Sequence, residues 1–235
     1  MTLVGLLRFV LSAVLLALLA AAAVAAAAHL VGHSVEGRRI VAHELGDPTA
    51  SRQVLVVGCL HGNECAGIAV VNRLRRLAPL EGVDFWLVPD ANPDGHRAGT
   101  RGNAHGVDLN RNFPYRWKRL RGDLYSGPRP ASEPETRALM GLIRRLRPAV
   151  TIWFHQHLNM VVLTRGNLGL QRRFARLAGL RAGYIPGLTG TATGWSNATF
   201  PGTTAFVVEL PAGRLTATAT ARIARAVRSV AAPAR

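Results

Sequence analysis

The sequence predicts an α/β fold: one domain built on a mixed, mostly parallel sheet with helices on both faces. Three observations predict it. Short apolar runs rich in β-branched residues alternate with segments of helical apolar spacing. Several of those runs end in polar residues able to do chemistry, and open α/β sheets bind ligands beyond the carboxyl ends of their strands. The 235 residues suffice for one ordinary domain with a proper core, and no repeat or inner linker divides them.

Taken in order, Met1–Ala28 is a targeting segment. Arg8 precedes Phe9–Ala28, an alanine-rich apolar stretch without a charge, and Ala26 and Ala28 offer an A-x-A cleavage pattern. The stretch is also near the roughly 20 residues that span a bilayer. Export is expected, with residues 1–28 as either a cleaved signal peptide or a membrane anchor, and residues 32–235 as the folded domain. The mature protein is then secreted or held at the cell envelope.

His33–Pro48 reads as an edge hairpin and Val54–Cys59 as the first central strand. Ala66–Leu77 follows as a helix, with Ile68, Val71, Leu74 and Leu77 on one face. Phe85–Pro89 is a second strand. Asp90–Gly127 is a long turn-rich segment, and a loop of that length in a compact domain usually has a functional reason. Ser132–Leu146 is a helix with a Ser132/Glu135 capping box, stopped by Pro148. Val150–Phe154 is a strand ending at His155, and Leu168–Ala178 a helix. Gly183–Phe200 is rich in glycine and threonine and reads as loop. Thr204–Val208 is a strand ending at Glu209, and Thr216–Ala231 is a closing helix.

The net charge is +16. Lys118 is the only lysine, so 28 of the 29 basic residues are arginine. That excess is either a solvated surface or an attraction to an anionic polymer such as cell wall. No nucleic-acid motif accompanies it, so nucleic acid is not an expected partner, and a membrane is one only through residues 1–28. Cys59 and Cys65 flank His61–Glu64. They could pair in an oxidising compartment or remain two small buried thiols.

His61 and Glu64, three residues apart on a tight turn or first helical turn, point to one side. An imidazole nitrogen and a carboxylate are two thirds of a typical three-residue catalytic zinc site. His155 and Glu209 stand at two other strand ends. His157 could compete with His155, since i and i+2 share a strand face. His96 and His105 lie in a polar loop and read as surface. Trp86, Trp117, Trp153 and Trp195 read as core or pocket wall, and Arg144, Arg145 and Arg147 as a solvated cluster at a helix end.

The run His61-Gly-Asn-Glu64, then Asn92-Pro-Asp-Gly95, Thr100-Arg101, Asp108-Leu-Asn-Arg-Asn-Phe-Pro114, Ser132-Glu-Pro-Glu-Thr136, strand-end His155 and Phe206-Val-Val-Glu209-Leu resembles the zinc carboxypeptidase family of the carboxypeptidase A type. Its small bacterial murein peptide amidases look most similar. The resemblance runs from about Gly32 to about Gly213. It implies one Zn²⁺ per chain on His61, Glu64 and His155, with a water in the open position. It implies Glu209 as general base, Arg101 as stabiliser of the developing oxyanion, and Asp108 as the acceptor that orients the His61 ring. Asn110 and Arg111 would grip the free carboxylate of a peptide substrate. The family's substrate-closing tyrosine has Tyr184 as its nearest candidate here, and the base of the specificity pocket would fall near Ala192–Gly194.

The function expected is zinc-dependent hydrolysis of an amide bond next to a residue with a free carboxylate, with cell-wall stem peptides as one candidate substrate. One alternative is a zinc deacylase of the succinylglutamate desuccinylase or aspartoacylase type, which shares H-x-x-E. Another is a non-catalytic cell-wall-binding protein, against which Glu209 argues.

Overall fold

The computed structural model describes residues 27–233. The Met1–Ala28 segment lies outside the described residues except for Ala27 and Ala28. Among the described residues no helix is long and apolar enough to cross a membrane.

Seven strands form one sheet: β1 (Ala27–His33), β2 (Arg39–Gly46), β3 (Arg52–Val57), β4 (Val83–Val88), β5 (Val150–Val162), β6 (Arg181–Gly183) and β7 (Thr204–Pro211). The spatial order is β1-β2-β4-β3-β5-β6, and β7 also pairs with β5. The β1–β2 and β2–β4 pairs are antiparallel; β3–β4, β3–β5, β5–β6 and β5–β7 are parallel. The chain leaves β3 for β4 on one side and returns to β5 on the other. That reversal opens a crevice beyond the carboxyl ends of β3 and β5.

Among the described residues, six α-helices accompany the sheet: α1 (Gly67–Leu74), α2 (Pro93–Ala98), α3 (Pro134–Leu146), α4 (Leu168–Ala178), α5 (Ala192–Thr199) and α6 (Ala217–Ala231). Side chains alternate across a strand, so β3 feeds two cores. Val54 and Val56 pack with Val71 of α1, Phe174 of α4 and Val227 of α6. Leu55 and Val57 face Leu139 and Ile143 of α3 and Trp195 of α5.

Several boundaries differ from the sequence reading. The edge hairpin exists, but its first strand is Ala27–His33, with Ala27 opposite Glu44 and Ala28 opposite His43. Sheet pairing thus starts before Gly32. Strand β5 continues past His155. Beyond His157 its register shifts, and Met160, Val161 and Val162 pair with Glu209, Val208 and Val207. The expected Gly183–Phe200 loop contains a helix, α5. Thr191 caps it by accepting from the Gly194 amide, and Trp195 buries its inner face. Glycine and threonine are weak helix formers, so the cap and the core contact decide this segment.

The Ser132/Glu135 capping box does not form. Helix α3 starts at Pro134 with Glu133 as N-cap. The Glu135 carboxylate instead accepts from the Val35 amide and the Asn103 side chain. The arginines at the other end are not simply solvated: the Arg144 guanidinium lies over the Trp195 ring at 5.4 Å and Arg145 over Trp86 at 5.2 Å.

Candidate metal centre

Strand β3 ends in Gly58, whose missing Cβ would meet the Pro89 carbonyl at 2.6 Å. The chain then turns through the His61–Glu64 motif. Gly62 packs backbone to backbone on Gly95, where a Cβ would stand 1.9 Å from the Gly95 carbonyl carbon. Asn92 locks this junction. Its Nδ2 donates to the Leu60 and Gly102 carbonyls and its Oδ1 accepts from the Gly95 amide. The glycines and asparagine of the two motifs therefore hold the turn that presents His61 and Glu64.

The buried His61 and His155, each 2% exposed, meet Glu64 at the crevice. His61 Nδ1 lies 3.0 Å from Glu64 Oε2, His155 Nδ1 lies 3.0 Å from the same oxygen, and the two Nδ1 atoms are 3.1 Å apart. His61 Nε2 is 2.8 Å from Asp108 Oδ1. With its proton on Nε2, donated to that carboxylate, the neutral His61 ring turns a bare Nδ1 lone pair toward Glu64. Lone pairs converging at this range repel one another unless a cation or shared proton sits among them. Two imidazole nitrogens and a carboxylate oxygen are the donor set of a catalytic zinc site. Its tetrahedral edge, for bonds of about 2.1 Å, is about 3.4 Å. The residues present fit the ion.

Where no cation sits among them, the surrounding charges favour a shared proton on His61. Burial disfavours ionised His61, but Asp108 and Glu64 outweigh it and raise its pKa. Burial lowers the pKa of His155 and keeps that ring neutral. Burial also opposes ionisation of Glu64 and Asp108. Contacts with His155 and His61 nonetheless hold Glu64 well below the usual carboxylate range, and His61 and Arg101 do the same for Asp108.

Arg101 bridges two of these groups. Its Nη1 donates to Glu64 Oε1 at 2.7 Å and its Nε to Asp108 Oδ2 at 3.0 Å. Glu209 lies opposite His155 in the β5–β7 register, lines the same cleft, and its buried Oε2 has no hydrogen-bond partner among the described residues. The cleft encloses about 290 Å³.

Asn110 and Arg111 sit on a 3₁₀ turn, Leu109–Arg111, capped by Asp108, whose Oδ1 also accepts from the Asn110 amide. Phe113 anchors this turn in the core against Trp153 and Trp195. Asn110 Oδ1 accepts from the Ala192 amide, which ties the start of α5 to the turn. Gly190, at φ +62°, presses against the Arg111 carbonyl, where a Cβ would approach to 2.3 Å. Arg111 is 8% exposed and lines the cleft. Its one protein acceptor among the described residues is the Asn110 carbonyl, and burial lowers its pKa.

The structure thus brings His61, Glu64, Arg101, Asp108, Asn110, Arg111, His155 and Glu209 together. It does not bring Tyr184, which is 63% exposed and outside the cleft lining. Tyr184 follows the edge strand β6, and the next residue, Ile185, lines the cleft instead. His157 lines the cleft wall but stays out of the His61–Glu64–His155 triangle. His96 and His105 are not free surface groups: each has a carboxylate 2.7 Å from Nδ1, from Asp90 and Glu133 respectively. Cys59 and Cys65 are joined as a disulfide. Sequence reasoning missed Asn92 and Gln156 as organising residues. Asn92 stood inside a quoted motif; Gln156 gave no signal beyond following His155.

The sequence profile of the zinc carboxypeptidase family matches residues 13–168. Murein peptide amidase A from Escherichia coli (strain K12) is 40% identical over 127 residues, which cover 47% of this chain and 52% of that protein. The chain therefore spans about half the length of that curated relative. The human carboxypeptidase N catalytic chain is 31% identical over 151 residues, covering 47% of this chain and 33% of the relative. Among solved structures, murein-tripeptide amidase from Escherichia coli O157 aligns with a TM-score of 0.72 at 27% identity, covering 88% of this chain and 93% of that one. Carboxypeptidase A from Helicoverpa armigera shares the fold, with a TM-score of 0.71 at 20% identity over 87% of this chain and 69% of the other.

Proposed function

The chain belongs to the zinc carboxypeptidase family, and from that premise we propose that it hydrolyses an amide bond beside a residue carrying a free carboxylate, with cell-wall stem peptides as the substrate class. The observation that carries the proposal is the triangle of His61 Nδ1, Glu64 Oε2 and His155 Nδ1, with edges of 3.0–3.1 Å, beside the unpartnered Oε2 of Glu209. The relatives named for murein peptides support the choice of substrate.

Each residue then has a task. His61, Glu64 and His155 would hold zinc, and Asp108 fixes the His61 tautomer and ring. Zinc bound there supplies a Lewis acid for the scissile carbonyl and lowers the pKa of water. Glu209 accepts the proton of the attacking water at its free carboxylate oxygen and returns it to the leaving nitrogen. The remaining N–H groups of Arg101, next to Glu64, stabilise negative charge developing on the carbonyl oxygen. Arg111, buried with a single neutral acceptor, pairs with the substrate carboxylate, because a guanidinium fork matches that group.

The test is a zinc-loaded assay against peptides with a free carboxylate, a stem tripeptide among them, beside their amides and N-acyl amino acids. Amidation should lower kcat/KM by about 10²-fold or more, since leaving a buried charge unpaired costs several kcal/mol. Equal cleavage of acid and amide would remove the clamp from the account; cleavage of N-acyl amino acids alone would make the protein a deacylase. We also propose that the protein acts outside the cytoplasm, on the strength of the apolar N-terminal segment, with its +16 charge drawing it to anionic wall. N-terminal sequencing of the exported form checks this, and an intact Met1 in the membrane fraction would indicate an anchor.

A further inference from the structure

Gln156 follows His155 in β5 and makes contacts that no surface glutamine needs. Its Oε1 accepts from the Ala66 amide at 3.0 Å, two residues past Glu64. Its Nε2 donates to the Pro211 carbonyl at 2.9 Å and the Gly213 carbonyl at 2.8 Å, just past Glu209. Its own N–H donates to Glu64 Oε2 at 3.3 Å. A side-chain amide has two N–H donors and a carbonyl acceptor, and here both ends are engaged. The segments it joins are the turn after β3, the end of β7, and β5 itself. Between them they carry His61, Glu64, Glu209 and His155. The β5–β7 pairing reaches only Pro211, so the bond to Gly213 carries the tie beyond the end of the ladder.

We infer that Gln156 is a positioning residue that holds the three metal-site side chains and Glu209 in one frame; this rests on the metal reading of the site given above. Groups one shell out from a metal typically change affinity or activity by 10–100-fold when lost, and a misplacement of about 1 Å at the reacting groups can cost about 10²-fold.

The experiment uses the full chain with Gln156→Met, which keeps the length and removes every side-chain hydrogen bond, and Gln156→Ala. Zinc affinity is read by competition with a chromophoric chelator, alongside kcat, KM and thermal stability. Expected are a 10–100-fold weaker zinc Kd and a fall in kcat larger than any change in KM. A lower Tm with zinc Kd and kcat unchanged would make Gln156 merely structural and overturn the inference. Wild-type protein that binds no zinc would instead overturn the metal reading itself. Should neither variant fold, amide exchange in the wild type decides. Zinc should slow exchange at the Ala66 amide by about 10-fold or more, and an unchanged rate would overturn the inference.

Discussion

At the scale of single residues, position relative to the His61–Glu64–His155 triangle separates the roles. Glu209 stands opposite His155 in register but outside the three-atom cluster. Glu209→Gln should therefore keep zinc, measured by metal analysis, while turnover falls about 10²–10⁴-fold, the usual contribution of a general base. Loss of metal would make it a ligand instead. Arg111 differs from Arg101 in having no carboxylate partner among the described residues, whereas Arg101 is held by Glu64 and Asp108. Arg111→Ala should lower kcat/KM on the free acid by about the 10²-fold that amidation costs, and hardly affect the amide further. A double-substitution cycle of residue against substrate group measures that coupling.

At the scale of elements, the site rests on turns clamped by polar side chains. The hairpin β1–β2 is pinned to α2 through Asp94, whose carboxylate accepts from the Ser34 hydroxyl, the Glu36 amide and the Arg38 guanidinium. Burial opposes the Asp94 charge, but those three donors keep its pKa below the ordinary value. The sign follows: its stabilisation is complete above the unfolded aspartate pKa of about 3.9 and is lost as pH falls through the lower folded value. Asp94→Asn should cost about 1–3 kcal/mol at neutral pH and flatten the acid limb of stability in denaturant titrations. Helix α5 is held by its Thr191 cap, the Asn110 side chain and the core contact of Trp195. Thr191→Ala removes the acceptor for the Gly194 amide and should cost about 1 kcal/mol, read as a lower Tm. Neither feature was legible beforehand. The NPDG run announced a turn but not its partners 56 to 60 residues upstream, and a Gly/Thr-rich stretch announced loop.

At the scale of the whole molecule, the proposed metal would be linked to folding. The triangle joins the turn after β3 to β5, segments more than 90 residues apart, so an ion bound there binds the folded chain and not the unfolded one. Zinc at about 100 times its Kd should add about 2.7 kcal/mol, or roughly 5–10 °C in Tm for a domain of this size. A chelator should reverse the gain. A calorimetric scan with and without chelator that shows no difference would remove the metal from the fold's energetics.

The sequence by itself determined the class of sheet, because alternating apolar runs and helical spacing are local patterns that residue chemistry writes directly. It also offered His61, Glu64, His155 and Glu209 as candidates, since residue types at strand ends are likewise local, while Arg101, Asp108, Asn110 and Arg111 came from the resemblance of motifs. What only the tertiary structure decided was juxtaposition. Tyr184 had the right chemistry and roughly the right place, yet the chain past β6 leaves it exposed and puts Ile185 at the cleft. Gln156 had no distinguishing spacing, because its partners lie on segments 90 and 55 residues away. Helix α5 formed against its own propensity because the Asn110 side chain and the core around Trp195 hold it there. Local sequence encodes what a residue can do; which other residues it does it with is set by packing between distant segments, which no window of the chain contains.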